Sequence, residues 1–239
     1  MWWDCPVTDS ADPDLAIVAR AITMRGPWGP VYGPVDLEIA AGGVTVLVCP
    51  PGWGRTALLM TLAGRMRPAA GSLSVFGKTR ATDIFGRAAL AAVEDLDSVS
   101  ESVTVGDVIT EQLRWDAPWY KLIRRADSAA LAKTCAPVFG ELPLPPLSEY
   151  VEELSELDGV LLRIALANTG QPPLLIVGDI DQVTHDHSRE LLVSRLVELG
   201  RDQTVVTASA NSLTGHAVRL IPVENTSRAE QAGQQKGGA

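Results

Sequence analysis

The chain has little of what metal, redox or nucleophilic chemistry needs. Of its 239 residues, three are cysteine and three are histidine. Cys5, Cys49 and Cys135 are odd in number and widely scattered, so they make neither a disulfide framework nor a metal-ligand spacing, and a reducing cytosol is the natural compartment. His185 and His187 stand at i and i+2 just before a helical segment and do not share its face, and His216 is remote from both, which disfavours a metal site. Nothing resembles a serine or cysteine nucleophile with its base. With 46% hydrophobic and 21% charged residues the chain is not disordered. Twenty basic residues against 29 acidic ones give a net charge of −9, which disfavours nucleic acid or anionic lipid as the main partner and leaves room only for a local basic patch. The scattered tryptophans form no base-stacking platform. No apolar run reaches the ~18 residues that span a bilayer, and "MWWDCPVTDSADPD" lacks the basic start and apolar core of a signal peptide. A chain that serves a membrane would do so from outside the lipid.

What is present alternates between two periods. "LAIVARAITMR" and "VDLEIA" alternate as half-buried strands do, and "VTVLV" is a continuous apolar run of the kind buried on both faces. A helix is predicted from about Arg55 to Arg65, followed by the short strand "SLSVFG" and the apolar stretch "AALAAVE". The middle, from Thr104 to about Val138, has helical periodicity in Val108, Ile109 and Leu113, and after Pro118 in Trp119, Leu122 and Ile123. "ELPLPPLSEY" breaks it. From Leu154 a long helix carries Leu157, Leu161, Leu162, Ile164 and Leu166. "PPLLIVGDID" is another buried strand, "RELLVSRLVEL" a helix, and "TVVTAS" and "AVRLIPV" are strands. Strands separated by helices indicate an α/β fold with a mostly parallel sheet. The polar, glycine-rich end "RAEQAGQQKGGA" reads as a mobile tail.

Between "VTVLV" and its helix lies "CPPGWGRT", which approximates the phosphate-loop pattern G-x-x-x-x-G-K-[ST]. In such a loop, backbone N–H groups at a helix N-terminus point at phosphate oxygens, a lysine bridges the terminal phosphates, and a hydroxyl one residue on binds Mg²⁺. Gly52 and Gly54 allow the turn and Thr56 supplies the hydroxyl. Cys49 replaces the first glycine. Arg55 replaces the lysine, keeping the charge on a longer, planar group. A ligand-free strand-to-helix turn is the alternative on this window alone.

The stretch "PPGWGRTALLMTLAGRMRPAAGSLSVFG" resembles the start of an ABC-transporter ATP-binding subunit: Leu62-Ala63-Gly64, Pro68, Gly71 and Gly77 match that family in order and spacing. The resemblance runs over roughly residues 15 to 222. It is closest to a divergent actinobacterial subgroup whose loop often ends in Gly-Arg-Thr or Gly-Arg-Ser and whose members accompany membrane proteins of the phage-infection-protein type. It implies a P-loop NTPase-type ABC cassette with a mostly parallel core sheet, an antiparallel β subdomain and an inserted helical subdomain. The implied division is an N-terminal extension over 1–14, the cassette over 15–224 with its helical subdomain at about 104–170, and a flexible tail over 225–239.

The resemblance also implies site residues. Pro51, Gly52, Trp53, Gly54, Arg55, Thr56 and Ala57 form the phosphate cradle, with Thr56 also on Mg²⁺. Trp28 stands where the family's aromatic stacks on adenine, with Tyr32 as the fallback and a plain surface aromatic as the alternative. Counting back eight residues from Val103-Thr104-Val105 places Asp95 at the family's glutamine, a second candidate for Mg²⁺. Leu154-Ser155 begins the signature motif without its glycines, so Ser155 either recognises phosphate across a dimer or simply caps a helix. In "LLIVGD", strict alignment puts Gly178 at the Mg²⁺-linked aspartate and Asp179 at the catalytic glutamate. A slip of one residue makes Asp179 the Mg²⁺ carboxylate instead, and the two cannot hold together because a slip turns each side chain to the opposite face. Asp181 is a substitute in either case. "QVTH" replaces the segment after that strand, and Ala210 stands where a histidine is expected.

The function implied is the ATP-binding subunit of an ABC-type membrane transport complex, cytoplasmic and peripheral on the inner face of the membrane, binding ATP and Mg²⁺. It would act as a homodimer, or a heterodimer with a second ATP-binding subunit, on an integral membrane permease-type protein. The degenerate motifs imply weak turnover. A non-catalytic scaffold or regulatory subunit of the same fold is the second reading. "RWDAPWYKLIRR" sets Arg114, Lys121, Arg124 and Arg125 against Asp116 alone, a positive patch that suits lipid headgroups or is merely solvated.

Overall fold

A computed structural model of the chain describes residues 14–93, 103–213 and 215–226. The elements run β1 (Leu15–Gly26), β2 (Gly29–Ala40), β3 (Gly43–Val48), α1 (Trp53–Leu62), β4 (Ala70–Val75), α2 (Ala81–Phe85) and β5 (Ala88–Ala91). They continue with α3 (Val105–Asp116), α4 (Ser128–Phe139), α5 (Glu156–Ala167), β6 (Leu174–Asp179), α6 (Asp186–Leu199), β7 (Thr204–Ser209) and β8 (Val218–Pro222). Strands β2-β1-β4 form an antiparallel sheet. Strands β5-β6-β7-β3-β8 form a parallel one. The expected mixture of a parallel core and an antiparallel β subdomain is what the chain forms.

The continuous apolar runs follow from the layering. Leu47, Leu174, Ile176, Val206 and Ala208 pack on one face of the parallel sheet with Ala57, Leu58 and Leu62 of α1 and with Ile17, Ala19, Ile22, Leu37 and Ile39 of the antiparallel sheet. Val44, Val46, Leu175, Val177 and Val205 face the other way, against Ile109, Phe139, Leu161, Ile164 and Leu192 of the surrounding helices. Successive strand residues point to opposite faces. With both faces covered, alternation disappears and the run becomes wholly apolar.

The helical middle differs from its periodicity. α3 opens with a capping box between Thr104 and Asp107, and α4 is capped by Asp127, which accepts from the Ala130 N–H. Residues 117–127 between them are irregular. The pattern read after Pro118 is therefore not a helix, and Trp119 and Leu122 are exposed at 95% and 92%. Asn225 and Thr226, the first two residues of the expected tail, pack against the fold. Both are buried, the Asn225 carbonyl accepts from the Gly33 N–H at 2.9 Å, and Asn225 Nδ2 donates to the Pro34 carbonyl at 3.1 Å. The rest of the expected tail, 227–239, lies outside the described residues.

Candidate functional site

Because the core strands are parallel, the carboxyl ends of β3, β6 and β7 lie on one edge, where ligands of open α/β sheets bind. β3 runs there into the loop before α1. Gly52 is the N-cap of α1 with φ 132° and ψ −179°, and no side chain caps the helix. That backbone conformation is essentially restricted to glycine. Thr56 N–H makes the first intrahelical bond, to the Gly52 carbonyl at 3.2 Å. The N–H groups of Trp53, Gly54 and Arg55 have no intrahelical acceptor and carry the positive end of the helix dipole.

Gly54 is required for a different reason. A Cβ there would lie 1.9 Å from the Thr226 carbonyl oxygen and 2.7 Å from that of Val31. The glycine lets the antiparallel sheet and the chain's last described residues close on the helix start. Since Val31 lies against Gly54, the hairpin tip bearing Trp28 is within a few residues' reach of the loop. Trp28 is 91% exposed and Trp53 72%. Tyr32 is buried, with its hydroxyl donating to Thr61 Oγ1 at 2.9 Å, and burial raises its pKa. It is a core residue and drops out as a base-stacking alternative.

On the facing side, β6 carries a bulge. Residues 174–176 pair with 204–206, whereas Asp179 pairs with Ala208. Three steps on β6 therefore match two on β7, the count of a β-bulge. The extra residue moves Asp179 into the ladder place that an unbroken register gives residue 178. Gly178 cannot carry a side chain, because a Cβ would stand 2.0 Å from the Ala92 carbonyl oxygen. Thr207 Oγ1 donates to the Gly178 carbonyl at 2.6 Å and holds the bulge.

Arg55 and Asp179 meet across the gap. The Arg55 Nη2 donates to Asp179 Oδ2, and Asp181 Oδ2 is 3.9 Å from Arg55 Nη1. That Nη1 is buried and has no hydrogen-bond partner among the described residues. Asp179 Oδ1 accepts from the Asp181 N–H at 2.9 Å. Burial pushes the Asp179 carboxyl up to about 6, against the lowering effects of the Asp181 N–H and Arg55. Asp181 in turn accepts from Ser209 Oγ at 2.9 Å and from the Ala210 N–H at 2.6 Å. Where the resemblance calls for a histidine, the chain thus offers a backbone N–H to a carboxylate.

The cleft so formed has about 230 Å³ and is lined by Pro51, Gly52, Trp53, Arg55, Thr56, Val93, Gly178 and Asp179 among others. That is below the ~300–1,000 Å³ of whole-ligand pockets. It has room for a polyphosphate, and Trp53 borders it. Ala57 follows in α1 but is packed in the core. Asp95 lies outside the described residues. The donor set fits a polyphosphate with Mg²⁺: three open N–H groups, a buried guanidinium nitrogen, the Thr56 hydroxyl and the Asp179 carboxylate.

Ser155 is the N-cap of α5. Its Oγ accepts from the Asp158 N–H at 3.1 Å and donates to Asp158 Oδ2 at 2.7 Å. Beside it, Glu156 accepts from the Thr184 N–H and hydroxyl at 2.8–3.0 Å, contacts that lower its pKa. Gln182 donates to the Ala92 carbonyl at 3.0 Å and accepts from Arg163 at 3.1 Å. These bonds tie the start of α5 to the loop after β6. They join residues some 20 to 90 positions apart, so no local motif signals Glu156 or Gln182.

The ABC transporter family model matches residues 32–179. The chain is 30% identical over 170 residues to the cytochrome c biogenesis ATP-binding export protein CcmA of Pseudomonas putida (strain GB-1), covering 69% of this chain and 74% of that protein. It is 38% identical over 89 residues to CcmA of Cupriavidus pinatubonensis, where it covers 37% of this chain and spans only 38% of the relative. The fold matches cbiO1 of Clostridium perfringens, part of the ABC transporter complex cbiONQ, with a TM-score of 0.66 at 15% identity over 93% of this chain and 92% of that one. With its strand order, its loop-to-helix N-terminus and this match, the chain belongs to the ABC transporter family as an ATP-binding domain.

Proposed function

We propose that the chain is the nucleotide-binding subunit of a membrane transport complex and that it binds Mg-ATP with slow turnover. The observation that carries this reading is the uncapped N-terminus of α1 facing Asp179, with a buried Arg55 nitrogen that lacks a hydrogen-bond partner. Bound Mg²⁺ would supply charge neutralisation at the phosphates. The chain's own residues do the rest. The Trp53, Gly54 and Arg55 N–H groups receive phosphate oxygens. Arg55 can exchange one carboxylate contact for a phosphate and, being planar, can hold it through two nitrogens. Thr56 and Asp179 stand as metal ligands, and Trp28 and Trp53 offer faces to the base.

Slow turnover follows from what Asp179 is already doing. A carboxylate that pairs with Arg55 and accepts from Asp181 is poorly placed to take a proton from water. Ala210 brings no side chain that reaches a phosphate. Losing a preorganised contact in such a site costs ~10²–10³ in rate. Ser155 can recognise phosphate across a dimer only by giving up Asp158. A homodimer would therefore turn over slowly, while a second, complete subunit could supply one competent site. The membrane partner is a permease-type protein, of the phage-infection-protein type if the subgroup resemblance holds, and it docks on the helical region. No helix among the described residues is long and apolar enough to cross a membrane. As in the resemblance to ATP-binding subunits, the chain would act at the inner face of the membrane.

One observation favours a second reading, a non-catalytic scaffold: Arg55 and Asp179 pair with each other and balance their charges with no ligand. Mg-ATP binding and steady-state turnover, measured on the purified chain alone and with its membrane partner, decide between them. Turnover that Arg55→Ala abolishes excludes the scaffold. No detectable binding in either setting overturns the first reading.

A further inference from the structure

We propose that the irregular segment 117–127, with the end of α3, is a membrane-surface contact that binds anionic lipid headgroups directly. Three observations converge on it. First, it concentrates exposed apolar side chains: Trp115 is 79% exposed, Trp119 95%, Tyr120 75% and Leu122 92%. Large apolar groups displayed together mark a docking surface, and Trp and Tyr are enriched at membrane interfaces because their rings are amphipathic. Trp119 and Tyr120 meet edge to face, with centroids 5.9 Å apart, so they stand as one aromatic knob.

Second, the charge there opposes that of the rest of the protein. Residues 114–125 hold Arg114, Lys121, Arg124 and Arg125 against Asp116, in a chain of net charge −9. Arg125 donates to Asp107 at 3.1 Å, which leaves Arg114, Lys121 and Arg124 as the exposed cations of the segment with no ion pair among the described residues. A cationic, aromatic patch on an acidic protein is complementary to an anionic lipid surface, which attracts the patch and repels the remainder. This fixes orientation as well as affinity. A protein partner needs no such sign.

Third, the segment is anchored at its C-terminal end and its middle is folded into a turn. The Ala126 N–H donates to Thr110 Oγ1 at 2.9 Å, Asp127 caps α4, and a turn closes from the Lys121 N–H to the Pro118 carbonyl at 2.9 Å. Beside it, Arg114, Trp115 and Arg125 line an open groove of about 780 Å³, together with Asp107, Thr110 and Glu111. Lys and Arg stems can lie along the apolar patch with their charged ends toward phosphate. The proposal stands apart from nucleotide binding, since none of these residues is part of the cleft.

The test is co-sedimentation of the full chain with phosphatidylcholine vesicles, with and without phosphatidylglycerol, together with tryptophan emission. Binding only to the phosphatidylglycerol vesicles is expected. It should fall as salt rises from about 0.1 M to about 1 M, which shortens screening from ~10 Å to ~3 Å. Lys121→Ala with Arg124→Ala should weaken partitioning about 25-fold, at about fivefold per basic residue. Trp119→Ala with Leu122→Ala should remove the emission blue shift. All four positions are exposed, so thermal unfolding should be unchanged. No binding to phosphatidylglycerol vesicles, or equal binding by both double variants, overturns the proposal. So does dependence on these side chains only for capture of a permease reconstituted in phosphatidylcholine, which would assign the segment to a protein partner.

Discussion

Arg55 Nη2 donates to Asp179 Oδ2 from the first turn of α1 to the end of β6, joining two residues 124 positions apart across the cleft. The side-chain exposures are 8% and 18%, so this pair is largely screened from water. Its two members do not contribute alike, because Asp179 is pushed up to about 6 chiefly by burial. Against that burial, the Asp181 N–H and, after it, Arg55 favour the charged carboxylate.

Replacing Arg55 by Met should therefore destabilise the protein most where Asp179 is ionised. Removing one member of a buried pair costs about 3 kcal/mol because the other charge is left without compensation. Arg55 lowers the Asp179 pKa, so its loss raises that pKa further. Urea unfolding should show the full loss at pH 8 and a much smaller one at pH 5, where the acid escapes the penalty by protonating. A loss independent of pH would show that the guanidinium stabilises by packing alone.

The wild-type carboxyl has its own pH signature. An unperturbed aspartate titrates near ~3.9, and Asp179 in the fold does so at about 6. Between these values the native state holds the extra proton, so stability falls as pH rises from about 4 to about 6 and is level above. Other carboxylates act in the opposite sense: the Thr184 contacts lower Glu156 and the Thr104 contacts lower Asp107. The prediction is thus for a difference. Relative to Asp179→Asn, the wild type should lose up to about 3 kcal/mol between pH 4 and pH 7, read by thermal or urea unfolding at each pH.

How much of this was legible in the sequence depends on range. The strands at 44–48 and 174–179 were readable because burial on both faces leaves wholly apolar runs, and the loop before α1 because its glycines and hydroxyl are consecutive. The Asp179 placement was not, because a bulge is a property of two strands together. "LLIVGD" contains both alignments, and the shifted pairing of Asp179 with Ala208 exists only once β7 lies beside it. The period after Pro118 misled for a related reason: Trp119, Leu122 and Ile123 have helical spacing, yet the first two bury against nothing. Spacing describes a possible face, and packing decides whether there is one.

Gly178 shows why restoring a motif letter need not restore its chemistry. Gly178→Asp places a Cβ against the Ala92 carbonyl oxygen, 2.0 Å away, and both groups are backbone-anchored. The variant should lose about 3 kcal/mol or more by overpacking and gain no turnover. Ala210→His is the opposite case. Position 210 is exposed, and what it gives Asp181 is a backbone N–H. That variant should stay within about 0.5 kcal/mol of the wild type, and it is the one expected to raise ATP turnover. A stable, active Gly178→Asp protein would mean that β6 can shed its bulge.

Gly52 and Gly54 should fail in different ways when each is changed to Ala. At Gly52 a Cβ meets nothing within 4 Å, but φ 132° with ψ −179° strains any other residue by about 1–3 kcal/mol. The cheapest relief is to rotate the loop, which turns the N–H groups of α1 away from the phosphate position. Gly52→Ala should thus weaken Mg-ATP binding with little effect elsewhere. At Gly54 the obstacle is the Thr226 carbonyl at 1.9 Å, and relief means displacing the segment whose Asn225 carbonyl accepts from Gly33 N–H. Gly54→Ala should therefore speed hydrogen exchange at the Gly33 amide and lower stability, whereas Gly52→Ala leaves that amide protected. If both variants lose nucleotide with the Gly33 amide unchanged, Gly54 serves the ligand and the close approach of Thr226 is incidental.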